Sequence, residues 1–384
     1  MSKVKYIVLV LTLLISNAMN AQTQKKYDEA WKRVTAFQKK SLPKSAAEEV
    51  AKIYDWAVKD KKIDQEIKAL MYRYYYNSMI TENDINKNLQ QFYKDLGSET
   101  KSPQKEILSS YVANILYNYY IQNKWNIEDR TAIVNFEKTD IATYSADDFN
   151  RLIAQYYKQS LANAEVLQNT RILDLGVLVD NNAGVNMRPT LYDLLVEKAI
   201  EFYKYDNIRT TKMANSFVLN DVANLADVKR FLAYDYQTKD TLNRNYISVK
   251  LYQDWLRFRL KDAANVDALV DVDLERIDFA YANSTNEYKK QFYKEALEHI
   301  YSQYPGNATA MKAGYKLVKY WDALGQSYNG VMSTDDQKNG LKIAEKYAEE
   351  IIAKQPKSNS AIDAGNYLLE LRQGMQHVLT EKVY

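Results

Sequence analysis

The chain offers few residues with which to do chemistry. Its 384 residues include no Cys and only two His, His299 and His377. Without Cys there is no thiol nucleophile, thiolate metal site, iron–sulfur cluster, disulfide or Cys-linked lipid. Neither imidazole has a second His four residues away, so zinc ligation lacks its usual ligand set and both read as surface or packed side chains. Gly325-Gln-Ser327-Tyr-Asn-Gly330 resembles a nucleophile elbow, but the second Gly falls one place late and no strand leads into it; a plain loop is the better reading. Asp335-x-Gln337-x-Asn339-Gly340 begins like a calcium loop. Position twelve is Lys346, where a bidentate Glu is required, and a capped turn explains the run better. Asp180-Asn-Asn182-Ala-Gly184 fails in the same way at Leu191. No Gly-rich phosphate loop occurs. Two carboxylates meeting from separate helices stay open as a glycosidase pair, and the sequence singles out none. No catalytic, cofactor-binding or metal-binding residue is assigned, no individual binding residue is named, and no cofactor is expected.

The elements that would position such groups are helices. Ten Gly and five Pro leave turns scarce and the segments between them long, against sandwiches, barrels and dinucleotide-binding folds. At this length one simple core is exceeded, and two or three subdomains or a repeat array are expected. Lys+Arg 52 against Asp+Glu 49 is close to balance, not the basic excess of a nucleic-acid binder.

Lys3 and Lys5 precede an apolar run from Tyr6 to Ile15, and small residues follow to Ala21. That order predicts a secretory signal peptide over 1–21, cleaved after Ala21 or Ala18. The apolar run is too short for a membrane-spanning helix. The expected product is exported, to the periplasm, the outer-membrane periphery or the extracellular space. No transmembrane segment is expected in it.

From Tyr27 onward apolar residues recur at helical spacing. Tyr288, Phe292, Ala296, Ile300 and Tyr304 step by four, with Tyr293, Leu297 and Tyr301 on the adjoining row. Similar stripes run through Ala47, Val50, Tyr54 and Ala57, through Leu108, Tyr111, Ile115 and Tyr119, and through Leu341, Ala344, Ala348 and Ile351. Ser102-Pro103 reads as a cap with Pro in the first turn, and Ser145-x-x-Asp148 as a capping box. Leu42-Pro-Lys-Ser-Ala46, Tyr304-Pro-Gly-Asn-Ala308 and Gln355-Pro-Lys-Ser358 each join a charged helix to an Ala-rich one. Pro stops one helix, a small polar residue caps the next, and Ala permits close approach. The expectation is an all-α fold of about a dozen helices without sheet: stacked, tetratricopeptide-like hairpins in an irregular α-solenoid. Pro305 and Pro356 lie 51 residues apart, against a standard repeat of ~34. Breaks near Gly176–Gly184 and Asn283-Ser284-Thr285 divide the chain into a front bundle (25–175), a middle segment (185–282) and a C-terminal set of hairpin pairs (284–380).

Thirty-three Tyr residues cluster at Tyr72, Tyr74, Tyr75 and Tyr76, at Tyr117, Tyr119 and Tyr120, and at Tyr156-Tyr157. Tyr buries its ring between helices while its hydroxyl reaches a polar rim, so packing is the favoured use. Stacking on sugars is the functional alternative, with a glycan as the ligand.

Several phrases resemble the N-terminal helical region of alpha-2-macroglobulin family proteins of Bacteroidetes-type bacteria. They are Ser41–Tyr54, Asn123–Thr131, Asp140–Tyr144 with the helix to Asn163, and Arg188-Pro-Thr-Leu-Tyr-Asp-Leu-Leu195 with Ala199 and Phe202-Tyr203. Arg188–Leu195 is the most distinctive. The resemblance implies the helical front part of a protease trap, whose bait segment, macroglobulin β-domains and Cys–Gln thioester have no counterpart here. No trap residue carries over. Leu379–Tyr384 resembles the lead-in to the first β-domain. The implied partners are the protein's own downstream macroglobulin domains or a protease. The expected function is a non-catalytic, exported interaction module of an endopeptidase inhibitor. A stand-alone tetratricopeptide-like scaffold or a Tyr-rich glycan binder is the alternative.

Overall fold

The computed structural model describes residues 22–381 apart from 82–83, 100, 131–139, 177–183, 206–207, 211–213 and 331. The expected signal peptide and the Asp180–Asn182 run lie outside these residues, as does the side chain of His377. The protein is all-α: helical hairpins pack side by side, and the described residues contain no sheet, only the isolated bridges Arg171–Thr190 and Leu219–Ser284. No helix among the described residues is long and apolar enough to cross a membrane.

The chain divides into two compact units. The first takes in residues up to Ala183 together with Thr190–Leu195 and Ile208–Thr210; the second takes the remainder. The first unit holds α1 (22–39), α2 (Pro43–Asp60), α3 (Ile63–Ile80), α4 (Ile85–Ser98), α5 (Gln104–Gln122), α6 (Lys124–Glu128), α7 (Ala146–Gln159) and α8 (Ala164–Asn169). The helix α9 (Leu191–Lys204) follows. The second unit then continues with α10 (Val228–Ala233), α11 (Arg244–Arg259), α12 (Val266–Asn283), α13 (Lys289–Gln303), α14 (Met311–Gln326), α15 (Asp335–Lys354) and α16 (Asn359–Glu381). Short helices such as α6, α8 and α10 carry the number above the expected dozen.

Local signals act much as their chemistry requires. Ser145 and Asp148 form a reciprocal capping box at the start of α7. Asn307 accepts from the Ala310 amide and Ser358 from the Ala361 amide, so two of the three Pro breaks carry the small polar cap. At the first break Pro43 opens α2 behind Leu42, which has no capping side chain, and Ser45 already lies inside the helix. Pro103 sits before the first turn of α5, not within it, and Ser102 bonds to the Glu106 carboxylate at 2.6 Å in place of a backbone amide.

Around α1–α3 the core gathers Tyr27, Val34, Ala46, Val50, Ile53, Ala57 and Ala69. In the second unit the core runs through α12–α16 by way of Leu274, Ile277, Leu297, Ile300, Leu317, Val318, Ala344, Ala348 and Ile351. Fully burying one such aliphatic side chain contributes about 1.5–3 kcal/mol. The α13 stripe is inward from Ala296 onward, while Tyr288 at its head is exposed. On α5 the buried row is Val112, Leu116 and Tyr120, one place along from Tyr111, Ile115 and Tyr119, which are half-buried.

α14 and α15 approach until backbone meets backbone. A Cβ on Gly340 would lie 2.5 Å from the Gly325 nitrogen, and one on Gly325 would lie 2.5 Å from the Leu341 nitrogen. Only glycine fits a crossing this close.

Candidate functional site

One face of α12 carries acids at helical spacing, Asp267, Asp271, Glu275 and Asp278, on a helix that buries Val270, Leu274 and Ile277 and the Asp273–Arg276 pair elsewhere. Each acid is held from another element. Asp267 accepts from Thr309 at 2.6 Å and from Asn307 at 3.0 Å. Asp278 accepts from the Tyr293 hydroxyl at 2.7 Å and pairs with Lys316 at 2.9 Å.

The centre of the row belongs to Arg188. Its guanidinium lies 4.6 Å over the ring of the fully buried Trp255. It donates to Asp271 at 2.9 Å, to Glu197 of α9 at 3.0 Å, to Glu275 and to its own neighbour's Met187 carbonyl. Lys312 of α14 reaches the other Asp271 oxygen at 2.6 Å. Three carboxylates thus face one guanidinium and one ammonium, an excess of one negative charge when all are ionised. Burial, reinforced by repulsion from Glu197 and Asp271, outweighs the Arg188 attraction and pushes the Glu275 carboxyl up to about 7. The same three acids raise the Arg188 pKa despite its burial.

The loop bearing Arg188 is built for its place. Gly184 at φ 89° turns the chain, its carbonyl accepts from the Met187 and Arg188 amides, and Pro189 follows. Asn265, which caps α12 by accepting from the Ala268 amide, also donates to the Asn186 carbonyl at 2.8 Å.

In the first unit an open groove of about 560 Å³ lies beside Trp31, between α1 and α3. Lys32, Thr35 and Lys39 line it from α1, and Gln65 and Lys68 from α3. Trp31 donates its indole N–H to Gln65 at 2.8 Å, Lys68 lies 4.5 Å over its ring, and Tyr72 packs 5.0 Å away.

The Tyr clusters divide between core and rim. Of the four on α3, Tyr74 and Tyr76 are buried, Tyr72 is half-buried and Tyr75 is exposed. Their hydroxyls reach side chains of neighbouring helices more than backbone carbonyls. Tyr27 donates to Asp60 at 2.9 Å, Tyr74 to Asp95 at 2.6 Å, Tyr120 to Glu128 at 2.8 Å and Tyr367 to Asp322 at 3.1 Å. Burial first, then the neighbouring carboxylates, raises the pKa of each.

The motif-like runs take structural places. Gly325 ends α14 against Gly340, so its glycine serves a helix crossing and not an elbow; only Ser327–Gly330 is loop. Thr334 and Gln337 form the capping box that opens α15, and Asp335–Gly340 is its first turns. His299 is exposed on α13. Among the described residues no three His, Cys, Asp or Glu are placed to hold a metal ion. Arg188 was visible in the sequence as part of a phrase, but of its three acids Glu197 stands nine residues on and the other two stand 83 and 87 residues away. The four-residue step from Asp267 to Asp271 to Glu275 was the available sign. Trp31 left no sign, because Gln65 lies 34 residues on.

Comparison with protein-family models, curated proteins and solved structures gives no match.

Proposed function

We propose that this chain is a non-catalytic, exported helical interaction module, the front part of an alpha-2-macroglobulin-like endopeptidase inhibitor, and that it docks or spaces the domains of that inhibitor. The observation that carries the reading is how the acids are used. Glu197, Asp271 and Glu275 meet in space on a guanidinium held between them, which ties the loop, α9 and α12 together as a scaffold would. The family assignment and the partners, downstream macroglobulin domains or a protease, follow from the phrases that end in Arg188–Leu195. The coding sequence beyond Tyr384 tests it. β-domain patterning there supports the inhibitor, whereas an immediate stop codon removes it in favour of a stand-alone scaffold.

The Trp31 groove favours a second reading, glycan capture, because it joins an aromatic ring to Gln65, Thr35 and lysines. Calorimetric titration with purified polysaccharides decides it: affinity lost on Trp31→Ala supports capture, and no heat with any polysaccharide ends it.

A further inference from the structure

Arg188, Glu197, Asp271 and Glu275 make a set with more negative charge than its two cations neutralise, and the loop 184–189 is fastened through it to α12. We propose that this set is a proton-operated clasp: a proton held on Glu275, against the same guanidinium as two other carboxylates, keeps the 184–189 loop on α12, and loss of that proton loosens it.

The surroundings decide where the proton goes. From the loop comes Arg188; from α9 come Glu197 and, further along, Lys204; from α14 comes Lys312 on Asp271. α11 supplies Trp255 under the guanidinium and the buried Tyr252 hydroxyl, which has no hydrogen-bond partner among the described residues and feels Glu275 and Asp278. Asp278 is engaged by Tyr293 of α13 and Lys316 of α14. Arg276 on the same helix is committed to Asp273 and to the Asn224 and Ala226 carbonyls, so it supplies no donor to the trio. The guanidinium bonds all three carboxylates but supplies one charge, so even with Lys312 on Asp271 one anion is left over, and the buried carboxylate that keeps a proton does so as part of a coupled set.

The direction follows from linkage. Glu275 moves from an ordinary 4.5 to about 7 in the closed arrangement, so the closed form binds the proton more tightly than the open one. The closed form is fully favoured below the lower value and loses that advantage as pH rises through the higher one. The opening constant then grows by up to about tenfold per pH unit and levels off above neutrality.

Hydrogen–deuterium exchange of the 184–188 amides, corrected for intrinsic chemistry, reads this directly. Between pH 5.5 and 7.5 we expect at least a tenfold rise in their exchange, with α14 amides unchanged as internal reference. In Glu275→Gln the rise should flatten and the loop stay protected throughout. A flat wild-type profile, or an unchanged rise in the variant, overturns the clasp. Should the variant misfold, carboxyl carbon NMR of the labelled wild-type protein decides: a cluster carboxyl titrating above pH 6 supports it, and all three titrating below 5 refute it.

Discussion

α2 with α3 and α14 with α15 are both neighbouring helix pairs, yet different groups make their contacts. The first pair is joined by Lys61-Lys62, with Lys61 at φ 55°, and its core is filled with Ala46, Ile53, Ala57 and Ala69. The second is joined by the longer stretch 327–334 and meets at Gly325 and Gly340, where no side chain intervenes. Apolar periodicity selects which faces meet; the residue at the crossing sets how near they come. A pair spaced by side chains can absorb a small change by rotamer adjustment. A pair in backbone contact cannot.

That contrast can be broken by mutation. Gly340→Ala should cost about 3 kcal/mol or more, since the new methyl group meets the Gly325 backbone. Urea unfolding indistinguishable from wild type would show the crossing to be looser than described. Tyr27→Phe in the first unit removes one hydroxyl from Asp60, which keeps Lys26 at 3.1 Å, and should cost about 1 kcal/mol in the same measurement. Gly365→Ala on α16 is the control for glycine itself. Nothing lies within 4 Å of a Cβ there, so helix propensity alone predicts a gain of up to about 1 kcal/mol. The smallest effect belongs to Trp125, 86% exposed on α6: Trp125→Ser should shift stability by no more than about 0.5 kcal/mol, and a larger loss would reveal packing not seen here.

Much of the fold was legible because helices announce themselves locally. The Ser145–Asp148 box, the caps at Asn307 and Ser358 and the stripe from Ala296 to Ile300 all depend on residues three or four apart. The row on α5 began correctly at the buried Leu108 and then slipped by one, because Tyr111, Ile115 and Tyr119 adjoin Val112, Leu116 and Tyr120 and look equally suited to burial. Ser102 was misassigned because Glu106, one turn on, competes for its hydroxyl. The Arg188 cluster was out of reach for a different reason. Its acids come from α9 and α12, and only tertiary packing brings them to one guanidinium. The glycines of the elbow-like and calcium-like runs mislead in the same sense, since each is explained by the other and neither by its own neighbours.

The acid row of α12 also bears on how the second unit comes apart. The 184–189 loop, α13 and α14 each bond to an anion on that helix, α9 joins them through Glu197 on the same Arg188, and α11 lies against the Arg188 that binds two of those anions. Peeling α13 or α14 away from α12 removes a partner from a partly desolvated acid there, which is costly. Stepwise fraying of these helices is thereby penalised, and α12, α13 and α14 should melt together as a single cooperative block, the 184–189 loop apart.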